Sequence, residues 1–222
     1  MKRQISTSSA LERQPYTRQL EAYATANSLP ESKALASVRR HTFRIRKDTA
    51  MMISWLEASL LRVLVRATKA RRILELGTYT GYSALAMAEA LPPTGRLSTL
   101  DIDPITNALA RQHWKLSPHG RKIKPVLGRA IDSLKKIKSG IDLAFIDADK
   151  VNYWNYFKIV LPKMKKGGLM VFDNTLWGGE LFPPKDAGGR AVAAFNRNLK
   201  RDKRVEMTML TVRDGVTLAW KK

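Results

Sequence analysis

The sequence predicts an α/β fold in which a mostly parallel sheet is buried between helices. Short apolar runs alternate with helical segments from residue 53 to residue 172, which is the pattern of parallel strands joined by helical crossovers. Gly77 directly follows one of these runs and Asp101 directly follows another, so both runs are predicted to be short strands. The last two β-rich runs are joined by Asp214-Gly215, a pair that predicts an antiparallel hairpin at the end of the sheet.

The individual elements follow from local patterns. The first helix has apolar residues at spacings of three and four, with Arg62 and Arg66 on its other side. Pro92 ends the second helix and Pro104 begins the third. After residue 50, four helices are predicted, at 53–68, 82–91, 104–116 and 153–161. Seven strands are predicted, at 72–76, 96–100, 124–127, 141–146, 168–172, 205–212 and 216–220.

Length and composition limit the classes of protein. The 222 residues suit one domain, and 44% hydrophobic with 27% charged residues are ordinary for a globular chain. The absence of cysteine excludes disulfides, zinc fingers and thiol catalysis, and it fits a reducing compartment, so a cytoplasmic location is expected. No apolar run approaches 18 residues, so no membrane span is expected. The net charge of +21 suggests nucleic acid or an anionic surface as a partner.

The first 50 residues are predicted to form an N-terminal helical arm or cap before a main domain at 51–222. Residues 1–20 are basic and rich in Ser and Thr but lack an apolar core, which excludes a secretory signal and leaves a mitochondrial transit segment as the alternative to an arm. Residues 31–47 predict a polar helix. Its basic run is interpreted as a solvated face and consists of Arg39, Arg40, Arg44, Arg46 and Lys47.

A glycine loop follows the first strand, where ligands bind in open α/β sheets. Its spacing, Gly77-x-x-x-Gly81, is neither the dinucleotide fingerprint nor a phosphate-binding Walker loop, and a tight strand–helix turn alone would also use glycine. Asp101 ends the next strand, where an acid can accept hydrogen bonds from both ribose hydroxyls of an adenosine ligand. Together they predict a nucleoside cofactor, for which S-adenosylmethionine is suitable.

Oxygen ligands follow two later strands. Asp147 comes after one apolar run, and Asp173 and Asn174 come after the next. Two carboxylates and an amide suit Mg²⁺, Ca²⁺ or Mn²⁺, although single acids at strand ends often cap helices instead. Lys150 lies three residues beyond Asp147 and could act as a base, or be an ordinary solvated lysine. The three histidines are interpreted as surface residues.

Together these motifs resemble the metal-dependent O-methyltransferases of the caffeoyl-CoA and catechol type. The resemblance covers residues 51–222. The motifs that carry it are Leu74-Glu-Leu-Gly-Thr-Tyr-Thr-Gly-Tyr-Ser-Ala84, Phe145-Ile-Asp-Ala-Asp-Lys150, Asp173-Asn-Thr-Leu-Trp177, Phe195-Asn196 and Asp214-Gly-Val-Thr-Leu218.

The resemblance implies a Rossmann-like class I methyltransferase fold, S-adenosylmethionine as cofactor, a divalent metal (Mg²⁺ first) and a homodimer. It implies that Lys150 is the catalytic base and that Trp177 lies at the substrate. The metal ligands it implies are Asp147, Asp173 and Asn174. The cofactor contacts it implies are Met51, Ile53, Glu75, Gly77, Ser83, Asp101, Ala130 and Asp149.

The expected acceptor is a small catechol-type aromatic, because adjacent hydroxyls could both bind the metal. The stretch 55–59 departs from the family's Pro-Glu-Gln-Gly-Gln-like pattern, and the segment 178–184 is short, which disfavours a coenzyme-A-linked substrate. One alternative acceptor is a hydroxylated uridine in tRNA, favoured by basic clusters within 121–138 and 163–166. A non-catalytic nucleic-acid-binding domain is a third interpretation, which the intact metal and lysine positions disfavour.

Overall fold

A seven-stranded sheet organises the protein. The computed structural model describes residues 15–179, 181 and 183–222. The strand order is β3-β2-β1-β4-β5-β7-β6, with β1 to β5 mutually parallel and β7 antiparallel to both of its neighbours. The strands are β1 Arg72–Leu76, β2 Arg96–Asp101, β3 Ile123–Leu127, β4 Ile141–Ile146, β5 Met164–Phe172, β6 Val205–Leu210 and β7 Val216–Lys221. The predicted mostly parallel sheet with a C-terminal hairpin is therefore confirmed.

Helices cover both faces of this sheet. They are α1 Pro15–Ala26, α2 Lys33–Ile45, α3 Trp55–Ala67, α4 Tyr82–Ala90, α5 Pro104–Trp114, α6 Ala130–Lys135, α7 Tyr153–Val160 and α8 Ala187–Arg201. One apolar cluster packs α2, α3, α4 and α5 on the first face, and a second packs α6, α7 and α8 on the other. In the described part of the chain, no helix is long and apolar enough to cross a membrane.

Three helices and the start of β5 differ most from the sequence-based prediction, and the other predicted bounds differ by at most two residues. Helices α1, α6 and α8 were not predicted. Helix α8 starts with Ala187-Gly-Gly, a poor helical sequence, and depends on the Asp186 side chain, which accepts a hydrogen bond from the Gly189 amide at 2.6 Å. Strand β5 begins four residues earlier than predicted, because its register with β4 shifts across the unpromising sequence Lys165-Lys-Gly-Gly168.

The interpretation of the three histidines as surface residues was wrong for His113, whereas His41 and His119 are half-buried. His113 is buried under the glycine loop, and its Nδ1 lies 2.8 Å from the Thr80 carbonyl oxygen. Its Nε2 lies 2.8 Å from Nδ1 of His41, which is half-buried. Burial lowers the pKa of His113. Since the neighbouring Thr42 hydroxyl donates to the Thr80 hydroxyl at 3.0 Å, α2 is attached to this loop by polar contacts.

Candidate active site

A cavity of about 900 Å³ opens at the carboxyl edge of the parallel strands. Its wall is formed by the glycine loop after β1, the end of β2, the loops after β4 and β5, the segment 48–53 and the hairpin turn. Parallel strands bring their carboxyl ends to one edge, so residues far apart in sequence meet here.

The glycine loop needs its two glycines because neighbouring chain approaches closely. Gly77 has φ +91°, and a Cβ there would lie 1.9 Å from the Asp147 carbonyl oxygen at the end of β4. Gly81 has φ +82°, and a Cβ there would lie 2.5 Å from Nε1 of Trp114 on α5. A side chain at either position would displace backbone or a buried ring, so glycine serves packing here as well as ligand access.

Glu75 lies beneath the cavity, not in its wall. It is fully buried, and its carboxyl oxygens accept hydrogen bonds from Ser83 Oγ at 2.6 Å and Thr99 Oγ1 at 2.5 Å. Burial raises its pKa to about 8. Ser83 lines the cavity, so Glu75 is connected to the cavity wall by its hydrogen bond with Ser83.

Asp101 holds the glycine loop to the end of β2. Its Oδ2 accepts hydrogen bonds from the amides of Thr78 and Tyr79, both at 2.8 Å, and its Oδ1 accepts one from the Asp103 amide at 2.9 Å. The carboxylate also borders the cavity. Since two carboxylate oxygens offer about four acceptor sites, capacity is left for a ligand hydroxyl.

Four polar residues meet at the ends of β4 and β5. All of them line the cavity, and they are Asp147, Lys150, Asp173 and Asn174. Lys150 Nζ donates to Asp147 Oδ1 at 2.7 Å. Asp173 is buried, and burial together with the nearby charge of Asp147 raises its pKa well above the usual value. Asn174 has φ +51°, and its backbone amide donates to Asp173 Oδ1 at 2.7 Å. The carboxylates of Asp147 and Asp173 and the side-chain amide oxygen of Asn174 form a set of hard oxygen donors that a divalent cation would stabilise.

Two more predicted residues line the cavity: Asp149 in the loop after β4 and Ala130 in the first turn of α6. The Asp149 carboxylate is held in place by its neighbours. It accepts hydrogen bonds from the Tyr156 hydroxyl and from Asn152 Nδ2. Tyr156 also lines the cavity and was not predicted from the sequence, because an apolar helical pattern gives no sign that its hydroxyl points at an acid.

Arg213 fixes the segment that contains Met51 and Ile53. Its guanidinium donates to the carbonyl oxygens of Ala50 and Met52 at 3.0 Å and to Glu57 Oε2 at 3.1 Å. Glu57 is buried and forms a capping box with Ser54 at the start of α3. The sequence does not predict this ion pair, because Arg213 lies in a turn, 156 residues away from Glu57.

Trp177 lines the cavity near Asn174, as the motif suggested. Its Nε1 donates to Asp186 Oδ1 at 3.1 Å. A Cβ on Gly188 would lie 2.5 Å from the Trp177 ring, and one on Gly189 would lie 3.0 Å from it. The start of α8 therefore lacks side chains where the indole packs.

Known proteins agree with this geometry. A model of the O-methyltransferase family matches residues 24–222. The chain belongs to the O-methyltransferase family. Catechol O-methyltransferase domain-containing protein 1 of Mus musculus is 35% identical over 214 residues, which are 93% of this chain and 81% of the mouse protein. Caffeoyl-CoA O-methyltransferase of Mesembryanthemum crystallinum is 38% identical over 178 residues, which are 73% and 69% of the two chains.

Solved structures support the same assignment. The SAH-bound methyltransferase PaMTH1 of Podospora anserina superposes with a TM-score of 0.87 at 30% identity, over 94% of this chain and 97% of that one. The O-methyltransferase TomG of Streptomyces achromogenes, in complex with SAM, gives 0.83 at 30% identity, over 92% and 96%. This O-methyltransferase is thus of the caffeoyl-CoA type, and the predicted class I fold and reaction class are confirmed.

Proposed function

We propose that this O-methyltransferase uses S-adenosylmethionine and a divalent metal to methylate one of two adjacent hydroxyls on a small catechol-type aromatic. The observation that carries the proposal is the cluster of Asp147, Asp173, Asn174 and Lys150 in the wall of the cavity that the glycine loop and Asp101 also border. The reacting groups and the nucleoside part of the cofactor would then bind in the same cavity.

The cofactor would occupy the side of the cavity next to the glycine loop. Two of the solved relatives are bound to SAM or SAH, which supports the same ligand here. Gly77 and Ser83 would lie at its methionine part, Asp101 at its ribose and Ala130 near its adenine. Further contacts would come from Met51, Ile53 and Asp149, which also line the cavity.

Asp101 tests this arrangement of the cofactor. Asp101→Ala is expected to weaken S-adenosylhomocysteine binding by a few kcal/mol at most, on the order of charged hydrogen bonds, as measured by calorimetry. Part of that loss would come from the loop amides of Thr78 and Tyr79. Asp101→Asn is the matched variant, because it keeps an oxygen acceptor for one amide. Unchanged affinity in both variants would contradict the assignment.

Asp147, Asp173 and Asn174 would hold the metal, preferably Mg²⁺, since the donor set contains only oxygen. When bound, the metal would supply Lewis acidity that lowers the pKa of a coordinated hydroxyl. The buried Asp173 beside Asp147 supports this fit, because two adjacent carboxylates in a protein interior repel unless a cation lies between them.

Lys150 would accept the proton of the reacting hydroxyl at its Nζ, in its unprotonated form. Asp147 fixes the position of that Nζ, which lies 2.7 Å from Asp147 Oδ1. The hydroxyl oxygen would then bond to the methyl carbon supplied by the cofactor sulfonium, and the electron pair of the broken bond would stay on sulfur. The rigid loops that hold both reactants would contribute by proximity, and Trp177 would pack beside the ring of the acceptor.

The decisive experiment compares acceptors with labelled S-adenosylmethionine. Catechol is expected to be methylated and phenol not, because a single hydroxyl cannot bind the metal through two oxygens. Exhaustive EDTA treatment should abolish turnover, and Mg²⁺ should restore it. Full activity after EDTA would refute the metal, and equal turnover of phenol would refute the chelated acceptor.

Bulk tRNA belongs in the same experiment as the alternative acceptor. The basic clusters that favoured it are partly internal contacts. Lys122 is buried and donates to the carbonyl oxygens of Ala88 and Leu91, at 2.9 and 2.6 Å, and Lys163 donates to the Ile137 carbonyl oxygen at 2.8 Å. Strong tRNA methylation with poor catechol turnover would replace the proposed acceptor.

The homodimer is proposed on the resemblance alone. The apolar face of α3 does not add support, because it packs into the core of the same chain through Ala58, Leu61 and Val65. Light scattering at micromolar concentration in physiological salt should give twice the mass of 25.0 kDa, and a monomer mass would reject the dimer.

A further inference from the structure

The amino edge of the sheet, opposite the cavity, carries a row of exposed cations. Strands β1 to β5 and β6 start at this edge and β7 ends there, so the residues that lead into or out of the strands lie side by side. In spatial order, the row that we call the basic edge consists of Lys124, Arg96, Arg72, Lys138, Lys166 and Lys222, all of them exposed.

Three members of the basic edge share one recess. Arg72 and Arg96 are register partners on β1 and β2, and together with Lys138 they line a cavity of about 230 Å³. Among the described residues, no acid lines that cavity. Like charges on neighbouring strands repel, so three cations around one recess favour an anion between them.

Two acids at the amino edge, Asp142 and Asp202, have other partners. Asp142 accepts hydrogen bonds from the backbone amides of Arg71 and Arg72, at 2.9 and 2.8 Å, and forms an ion pair with Lys165 at 2.5 Å. Asp202 pairs with Arg204 at 2.7 Å. The charge of the basic edge is therefore not cancelled by these neighbours.

We propose that the basic edge is a binding surface for the phosphate backbone of RNA, with one phosphate in the recess of Arg72, Arg96 and Lys138. Neighbouring strands are about 4.8 Å apart, so the five spacings between the six cations span about 24 Å. That length corresponds to roughly seven phosphates along one strand of a duplex. The catalytic cavity lies at the opposite edge, so the RNA held here is a partner and not the methyl acceptor.

The shape of the basic edge favours a nucleic acid over a membrane. Its cations form a row, strand after strand, whereas a membrane-binding surface combines cations with inserted apolar side chains. The exposed apolar residue that we find beside the row is Trp220, 43% exposed and next to Lys221. An aromatic ring among cations is also suited to stack on an unpaired base.

The test measures binding of a fluorescein-labelled 20-nucleotide RNA of mixed sequence by fluorescence anisotropy at several salt concentrations. The triple variant Arg72→Gln, Arg96→Gln, Lys138→Gln is expected to bind about tenfold more weakly or worse at low salt. The slope of log affinity against log salt should fall by about 0.7, because the recess binds one phosphate and each lost phosphate contact removes roughly that amount for a single strand.

The matched control removes the same charge elsewhere. Arg40→Gln, Arg44→Gln, Lys47→Gln neutralises three exposed cations on and after α2 and should bind RNA as the wild type does. If the strand substitutions disturb folding, seen as a lower Tm, then Lys136→Gln, Lys138→Gln replaces them, because both residues lie between α6 and β4. This loop variant should still bind RNA measurably more weakly than the wild type.

Three results would overturn the proposal. The first is a wild type that does not bind the RNA at low salt, and the second is an equal loss of affinity in the edge and control variants. The third comes from phosphatidylserine vesicles. If the edge variant stops sedimenting with them while its RNA affinity stays at the wild-type value, the surface binds a membrane and not RNA.

Discussion

The two edges of the sheet carry opposite charge, and they use it differently. At the carboxyl edge, Asp101, Asp147 and Asp173 are buried or half-buried, and each accepts a hydrogen bond from a residue of the same chain. At the amino edge, Arg72 and Arg96 are exposed, and their side chains donate hydrogen bonds to nearby carbonyl oxygens. Charge at the first edge is therefore part of the packing, and charge at the second edge is available to solvent and partners. Substitutions should have large, coupled effects at the first edge and small, screened effects at the second.

The largest effect is expected at Lys150. Lys150→Ala should lower kcat for catechol by roughly 10²–10⁴-fold, the usual contribution of a general base. The loss should shrink as pH rises, because hydroxide can then remove the proton. Steady-state kinetics from pH 6 to 9 would measure both the fall in kcat and its dependence on pH. Cofactor affinity should change little, since the proposed role of Lys150 involves the acceptor hydroxyl and not the cofactor.

Lys158→Ala is the control for that variant, because Lys158 is an exposed lysine on α7, close in sequence but outside the wall of the cavity. It should keep wild-type kcat. A near-wild-type rate for Lys150→Ala at neutral pH would show that this lysine is no base, and it would weaken the contrast between the two edges.

The next effect concerns Arg213, which holds the border of the cavity in place. Arg213→Gln leaves Glu57 buried without its cationic partner, and breaking such a pair costs about 3 kcal/mol. Urea denaturation should report that loss. The Michaelis constant for S-adenosylmethionine should rise as well, because the carbonyl oxygens of Ala50 and Met52 lose their donor.

Glu57→Gln tests whether the lost stability comes from the uncompensated charge. In the double variant with Arg213→Gln, the free energy of unfolding should recover part of the loss, because no buried charge is left without a partner. If the two losses simply add, the ion pair is not the cause, and Arg213 would act only through the carbonyl oxygens.

Local patterns in the sequence predicted the parts of the fold that depend on local order. The strands β1 and β4 match their predicted bounds, because their apolar runs are short and end at Gly77 and Asp147. Helix α8 was missed because its stability depends on Asp186 as a cap and on a face formed by Val192, Phe195 and Leu199, which is buried only by tertiary packing. Propensity cannot report such burial.

The candidate site also has parts that the sequence predicts and parts that it does not. Strand ends made it predictable that Asp101, Asp147 and Asp173 lie at one edge, because parallel strands align their carboxyl ends. The sequence could not separate a residue in the wall, such as Ser83, from one beneath it, such as Glu75. That distinction depends on the pleat of β1 and on the close packing around Gly77. The roles assigned to these residues stay predictions.

Glu75 offers a test of the buried side of the carboxyl edge. Its folded-state pKa of about 8 lies above the ordinary value of 4.5. The folded protein then binds more protons between these values, so the wild type loses stability as pH rises through that window. Glu75→Gln keeps the shape and removes the titration. From pH 6 to pH 8 the wild type should lose about 2 kcal/mol relative to the variant, measured by urea denaturation at each pH. Parallel pH profiles would show that Glu75 is ionised in the folded state throughout.

The smallest effect, opposite in sign, is expected at the amino edge. Arg96→Gln removes one of two like charges that are register partners, so it should raise the free energy of unfolding by about 0.3 kcal/mol at low salt, within the range for cross-strand pairs. The gain should vanish in 1 M salt, where the screening length falls to about 3 Å. Arg197→Gln, an exposed cation on α8, should change stability at neither salt concentration. If Arg96→Gln instead destabilised the protein at both, the guanidinium would belong to the packing of the sheet. The amino edge would then resemble the carboxyl edge, and its recess would have no need of an RNA phosphate, because a cation already satisfied by the fold does not need an external anion.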